Sequence, residues 1–412
     1  MNLEPRNLEP RMPSPFLTAR EAAEELGVRL ETLYAYVSRG QIRSEQGPGK
    51  ARRYPREDIE RLKNRREQRR NPRGALAKAL HFGGPLLESS ITLIRDGRFY
   101  YRGLDAVDLA SERSFEEVAA LVWQDVGADP GPLFPPRPPA LPSQAIEVDR
   151  HLANSGPLER FQILLPLIAR QDPASWNTEP SAVVRTGARV LRHLALLASR
   201  GVWRGSVVAT LANGWGCDSD AARRLLETSL ILCIDHELNV SSFTARCVAS
   251  AGSTPYDVVL GGLSALLGHR HGGHTRRVEA LLAECRGPDD VQRVMAERLQ
   301  RGESLPGLGQ VLYPQGDPRH KALRVQIERS FPDAEALAWD QAYVQAGREL
   351  VGEEPTVDLG LVLTARTLGL PPGTALCLFA LGRSVGWIGH ALEQYETRQL
   401  IRPRARYVGR QP

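Results

Sequence analysis

Histidine, arginine and aspartate, the side chains that acid–base chemistry and anion recognition most often use, gather in this chain at a few short segments beside glycine. In order these are His236-Glu237-Leu238-Asn239, His271-Gly272-Gly273, Gly307-Leu308-Gly309-Gln310 leading to Asp317-Pro318-Arg319, Val357-Asp358, and Gly382-Arg383-Ser384 with Arg402-Pro403-Arg404 beyond it. Paired glycines after His271 would let backbone approach a ligand closely and leave the imidazole at a helix start. Each residue alone also has a plainer reading. An isolated histidine at a helix end usually completes hydrogen bonds, Asp358 can cap a helix that begins at Leu359, and an Arg-Pro-Arg run is usually surface charge.

The elements that must position these residues read mostly as helices, expected at 115–126, 158–170, 180–200, 221–237, 255–267, 275–284, 289–301, 318–331, 333–351, 359–368 and 374–397. Strand signal in this part is confined to 91–101, where Thr92-Leu93-Ile94 and Phe99-Tyr100-Tyr101 flank Asp96-Gly97 as a hairpin. The stretch 129–142 holds seven prolines and is expected to be a loop. These features predict a large, nearly all-α domain.

A different module precedes it. Asn2-Leu3-Glu4-Pro5-Arg6 repeats as Asn7-Leu8-Glu9-Pro10-Arg11, an extension over 1–16 expected to be disordered, with Met12 a second candidate start. Thr18 and Glu21 have capping-box spacing ahead of Ala22, Ala23 and Leu26, and Gly27 ends that helix. A second helix over 30–39 can dock Leu33 and Val37 on the first, a helix-turn-helix spacing. The Gly47-Pro48-Gly49 turn between extended arms reads as a small wing, and a basic helix comes after Pro55. Residues 71–80 form the expected linker. Residues 1–75 hold 17 Lys+Arg against 11 Asp+Glu, whereas the remainder holds 36 against 37. Such asymmetry points the front end at a polyanion, with a solvated basic linker as the alternative.

At 412 residues the chain calls for two or three domains, and 42% hydrophobic with 25% charged residues is a globular composition. No run approaches about 18 uninterrupted apolar residues, and the first thirty residues carry acids and prolines where a signal peptide needs an apolar core. Five scattered cysteines suit neither a disulfide framework nor a zinc site, so a cytoplasmic location is expected.

Two resemblances sharpen this reading. Leu17-Thr18-Ala19-Arg20-Glu21-Ala22-Ala23, Thr32-Leu33-Tyr34 and Arg53-Tyr54-Pro55-Arg56-Glu57-Asp58 resemble the winged helix-turn-helix of the MerR and excisionase families, over about 50 residues. That likeness implies DNA binding, with Arg29, Thr32 and Tyr34 in the major groove and Arg52 and Arg53 on phosphates, although the same fold also serves in protein contacts. From about 84 to 409 the chain resembles citrate synthase. The likeness is carried by Tyr101-Arg102-Gly103, the His236 segment with Phe243-Thr244-Ala245-Arg246, the His271 and Gln310 segments, and most closely by Gly382 to His390 with Leu400 to Ala405.

The second resemblance implies condensation of acetyl-CoA with oxaloacetate and hydrolysis of the thioester, with no metal or cofactor, acetyl-CoA being a substrate. Asp358 then matches the base, His271 the hydrogen-bond donor to the enol oxygen, and Arg319, Arg383 and Arg402 with His236 the oxaloacetate pocket. There are departures. Gln310 stands where the family usually has histidine, and an amide can donate a hydrogen bond but cannot relay a proton. His320 is a candidate substitute. Thr275 replaces a frequent asparagine, His274 replaces alanine, and Val311 and Pro314 stand where basic residues near the CoA phosphates are common. The family implies a citrate-synthase-like all-α large domain (81–273 and 385–412), a small domain (274–384) and a homodimer. Two functions remain open, a condensing enzyme joined to a DNA-binding module and an impaired carboxylate and CoA sensor acting as a transcriptional regulator.

Overall fold

The computed structural model describes residues 16–46, 51–56, 58–59, 62–63, 87–125 and 127–410. The tandem repeat, the Gly47-Pro48-Gly49 turn, most of 57–70 and the 71–80 linker lie outside the described residues. The chain divides into two compact units, Met1–Glu88 and Ser89–Pro412.

In the first unit Thr18 caps the helix Ala19–Glu25. Its hydroxyl accepts from the Glu21 N–H, and the Glu21 carboxylate accepts from the Thr18 N–H at 2.8 Å, the reciprocal box that Thr-x-x-Glu spacing predicts. The helix Leu30–Ser38 docks through Leu33 on a core with Leu17, Ala22, Ile42 and Tyr54. Strands Phe16–Thr18, Arg52–Pro55 and Glu45–Gln46 lie in that order in one antiparallel sheet, with Leu17 opposite Tyr54 and Glu45 opposite Arg53. The arms of the wing are therefore paired. Arg43 grips the buried Asp58 carboxylate at 3.0 and 3.1 Å, tying the approach to the wing to the residues just past it.

The second unit opens on the predicted hairpin, Thr92–Arg95 against Arg98–Tyr101, to which Leu104–Asp105 adds a third strand. The rest of this unit is mostly helical. The helix Thr374–Thr397 is, among the described residues, the one long and apolar enough to cross a membrane, but nearly all of it is buried in the protein. It packs on Pro180–Ser199, Asp220–Leu232, Val240–Ser250 and Pro255–Leu266. Two of its glycines permit a close approach. A Cβ on Gly382 would stand 2.4 Å from the Leu230 carbonyl oxygen, and one on Gly386 would stand 2.3 Å from that of Ile234. With only hydrogen there, Arg383 between them is pressed against the segment 230–235.

Two expectations about helices need correction. The helix expected over 221–237 stops at Leu232, because the carbonyls near and beyond its end bond elsewhere: Tyr101 donates to the Ile231 oxygen at 3.0 Å and Arg383 Nε to that of Cys233 at 2.8 Å. Four further helices, Ala106–Glu112, Ser143–His151, Val207–Gly214 and Val240–Ser250, are short and lack long periodic runs. Three of them are marked instead by capping side chains, Asp105, Ser206 and Asn239, each accepting from N–H groups of the first turn.

Candidate active site

Because the helix ends at Leu232, His236 sits on a loop rather than on a helix. The buried Asp235 fixes that loop from below, accepting from Thr92 Oγ1 at 2.6 Å, His390 Nε2 at 3.1 Å and Ser242 Oγ at 3.3 Å. The loop ends at Asn239, whose Oδ1 accepts from the N–H groups of Ser241 and Ser242 and from the Ser241 hydroxyl at 2.8 Å. Ser241 Oγ in turn lies 2.9 Å from His271 Nε2. Burial, reinforced by Arg383 and His274, pushes the His271 pKa down to about 3. Burial also holds His236 well below the usual range, with Arg319, Arg383 and His271 adding to the effect. Both imidazoles are therefore neutral near pH 7, donors of hydrogen bonds rather than of protons.

Arg319 and Arg383 are both buried, and their partners differ. Arg319 is forked onto Asp317 at 2.9 and 2.7 Å, and Asp317 also accepts from Val357 N–H at 3.0 Å, which joins this pair to the helix that carries Asp358. Burial opposes the charge of Arg319, but Asp317 outweighs it and holds the pKa above the usual arginine range. Arg383 lies over the Phe379 ring with its guanidinium carbon 4.7 Å from the centroid. Its Nε bonds Cys233, while one terminal amino group has no hydrogen-bond partner. An orphaned donor on a buried cation is costly. A carboxylate would satisfy both its charge and its geometry.

Asp358 stands in the first turn of the helix Val357–Thr367, whose N-cap is Thr356. One carboxylate oxygen accepts from Thr356 Oγ1 at 2.9 Å and the other from Thr275 Oγ1 at 2.6 Å. Thr275 lies in the first turn of Gly273–Glu284, the helix that begins just after His271, so the Thr275–Asp358 bond draws the two starts together. The Gln310 loop joins the same place. Thr356 N–H donates to Gly307 O and Gly309 N–H to Glu354 O, each at 2.9 Å. Gln310 itself is half-buried, and its carbonyl accepts from Tyr313 N–H at 2.9 Å. Tyr313 is buried with its hydroxyl 2.9 Å from His236 Nε2.

His236 lies near the charges of Arg319 and Arg383 and near His271, and the buried Cys233 thiol lies near Arg383, Arg319, Asp358 and Asp317. Arg402 is not among them. It is exposed on the segment after Thr374–Thr397. His320 does not substitute for a histidine at 310, because its Nε2 is 2.7 Å from the buried Asp340 on Glu335–Val351. Tyr101, Asp235, Ser241, Thr275 and Tyr313 received no role from sequence. A signal existed for Thr275 and Tyr101, which stand in noted motifs, but none for Tyr313.

In the first unit Arg29, Tyr34 and Arg52 are exposed, and Thr32 is half-buried. Tyr34 and Arg52 line one concave face, of about 680 Å³, together with Arg20 and Ser38. Arg53 points elsewhere. Its guanidinium lies 4.2 Å from the Phe16 ring centroid and 3.7 Å from Glu45.

The mostly helical second unit gathers two buried guanidiniums, neutral imidazoles and a carboxylate, a set whose chemistry suits recognition of carboxylates, in a chain that also carries a helix-turn-helix unit. The family model for the citrate synthase C-terminal domain matches residues 82–404, and that for a helix-turn-helix domain matches 16–67. The chain belongs to the citrate synthase family. It is 29% identical over 370 residues to citrate synthase of Haloferax volcanii, covering 82% of this chain and 96% of that protein. It is 31% identical over 331 residues to putative citrate synthase 2 of Mycobacterium tuberculosis (77% and 88% covered), and 27% identical over 339 residues to 2-methylcitrate synthase of that organism (75% and 84%). Among solved structures, citrate synthase from Thermotoga maritima superimposes with a TM-score of 0.69 at 27% identity, covering 80% of this chain and 95% of that one. The ternary complex of the Thermoplasma acidophilum enzyme with carboxymethyl coenzyme A and oxaloacetate shares the fold, with a TM-score of 0.71 at 23% identity over 82% and 97% of the two chains.

Proposed function

We propose that the chain condenses acetyl-CoA, or a closely related acyl-CoA, with oxaloacetate to give citrate or its homologue and CoA. The observation that carries this reading is the unpaired amino group of Arg383, buried within a cluster that already contains Arg319, His236 and His271. Oxaloacetate presents two carboxylates, and Arg383 and Arg319 are assigned to them together with His236. Asp358 takes a proton from the acyl α-carbon while His271 donates its N–H to the enol oxygen. The enol carbon then attacks the ketone carbon of oxaloacetate, and water hydrolyses the thioester, releasing the CoA thiol. Gln310 supplies an amide N–H at most. The large lobe over 81–273 and 385–412 and the small lobe over 274–384 close on the substrates, and the chain works as a homodimer. The front module binds duplex DNA through Arg29, Thr32, Tyr34 and Arg52.

Gln310 and the helix-turn-helix module also support a second reading, a carboxylate and CoA sensor that turns over poorly and controls DNA binding. Release of free thiol from acetyl-CoA in the presence of oxaloacetate separates the two. The enzyme reading expects thiol release that requires oxaloacetate and is lost in Asp358→Asn. Saturable oxaloacetate binding without thiol release from acetyl-CoA or propionyl-CoA would leave the sensor.

A further inference from the structure

The turn that carries Gln310 brings Tyr313 into the cluster. Gly309 (φ +73°) and Gly316 (φ +98°) bracket the turn, and the Tyr313 N–H to Gln310 carbonyl bond closes it. Only 2% of Tyr313 is exposed. Its hydroxyl meets His236 Nε2, and its ring stands 5.9 Å from the Arg319 guanidinium carbon, so the phenol lies between two side chains assigned to the oxo-acid. Burial raises the phenol's pKa, so it keeps its proton across the physiological range. His236 is a neutral partner. A hydrogen bond between two neutral groups is readily exchanged for a stronger one to an oxygen that is gaining charge.

We propose that Tyr313 is a catalytic residue whose phenol O–H polarises the ketone carbonyl of the 2-oxo dicarboxylate, a task for which Gln310 brings no transferable proton. The inference rests on the condensation reading above. As the carbon–carbon bond forms, the carbonyl π pair moves to oxygen and the phenol proton passes to it, giving the tertiary alcohol. The phenolate is reprotonated from solvent, and Asp358 returns to solvent the proton it took from the acyl carbon, so protons balance over the cycle.

The test uses the full chain, Tyr313→Phe, Gln310→His and the double variant. Tyr313→Phe keeps the ring beside Arg319 and removes only the hydroxyl. Thiol release gives kcat and the oxaloacetate KM, and difference infrared spectra give the carbonyl stretch of bound oxaloacetate. In Tyr313→Phe, kcat is expected to fall about 100-fold with oxaloacetate affinity changed less than about threefold, and the carbonyl band to move toward its value in water. Adding Gln310→His to that variant should recover about 10-fold or more, since an imidazole can then serve the same oxygen. An unmoved band with kcat within about twofold of the parent would overturn the inference while leaving condensation by Asp358 standing. If the parent binds oxaloacetate but releases no thiol, the condensation reading fails, and the band still decides whether the phenol contacts the carbonyl. Absence of oxaloacetate binding overturns both.

Discussion

Arg319 is held by Asp317 through two hydrogen bonds, whereas Arg383 gives one to the Cys233 carbonyl and keeps a terminal amino group unpaired. A carboxylate entering the cluster therefore gains most from Arg383. Replacing it with lysine keeps a charge but loses the planar fork and the donor that reaches beyond Cys233. A charge-assisted hydrogen bond contributes about 1.5–3 kcal/mol, so Arg383→Lys is expected to raise the oxaloacetate KM roughly 10- to 100-fold, measurable by steady-state thiol release. An unchanged KM would mean that the orphaned amino group faces no substrate. At this scale the sequence was informative where a motif names the residue, as for His271, Asp358 and Arg383. It was silent on Tyr313 and Ser241, because their roles arise from contacts between segments 77 and 30 residues apart along the chain.

Helix ends set the larger geometry, and some of their charges are placed at a cost. Glu227, on Asp220–Leu232, accepts from the Phe115 N–H at the start of Phe115–Gln124, beside the buried Glu116, which accepts from Val207 N–H at 2.7 Å. Burial, with Glu116 adding repulsion, pushes the Glu227 pKa up to about 7. Since the folded pKa lies above that of the unfolded chain, the folded state binds more protons between them. The stability this group contributes is present below about pH 4.5 and lost as pH rises through about 7. Glu227→Gln keeps an acceptor for Phe115 and removes the titration. Its melting temperature should exceed the parent's at pH 8 and match or fall below it at pH 4, and a difference independent of pH would contradict the assignment. Long periodic helices such as Pro180–Ser199 were legible from their sequence, as were the capping box at Thr18 and the hairpin at Asp96-Gly97. The stop at Leu232 was not, because apolar Cys233 and Ile234 continue the helical pattern while Tyr101 and Arg383 claim carbonyls there from remote parts of the chain.

For the whole molecule, the basic front and the near-neutral remainder predict separable activities. Each phosphate neutralised by a side chain adds about 0.9 to the slope of log affinity against log salt. Replacing Arg29 and Arg52 together with alanine in the full chain should therefore lower the slope for duplex DNA by about 2, while oxaloacetate-dependent thiol release stays unchanged. A slope that does not change, or no DNA binding at all, would leave this unit as a protein-docking module.

The central claim, that the cluster around Arg383, His271 and Asp358 makes a carbon–carbon bond, is tested most directly by following the carbon itself. Acetyl-CoA labelled with carbon-13 at the methyl group is mixed with oxaloacetate and the full chain, and the label is observed by NMR. The account predicts transfer of the label to a methylene of citrate, and a rate at least about 100-fold lower in Asp358→Asn. A label that stays in acetyl-CoA or acetate with the parent chain, or conversion by Asp358→Asn at the parent's rate, would contradict it.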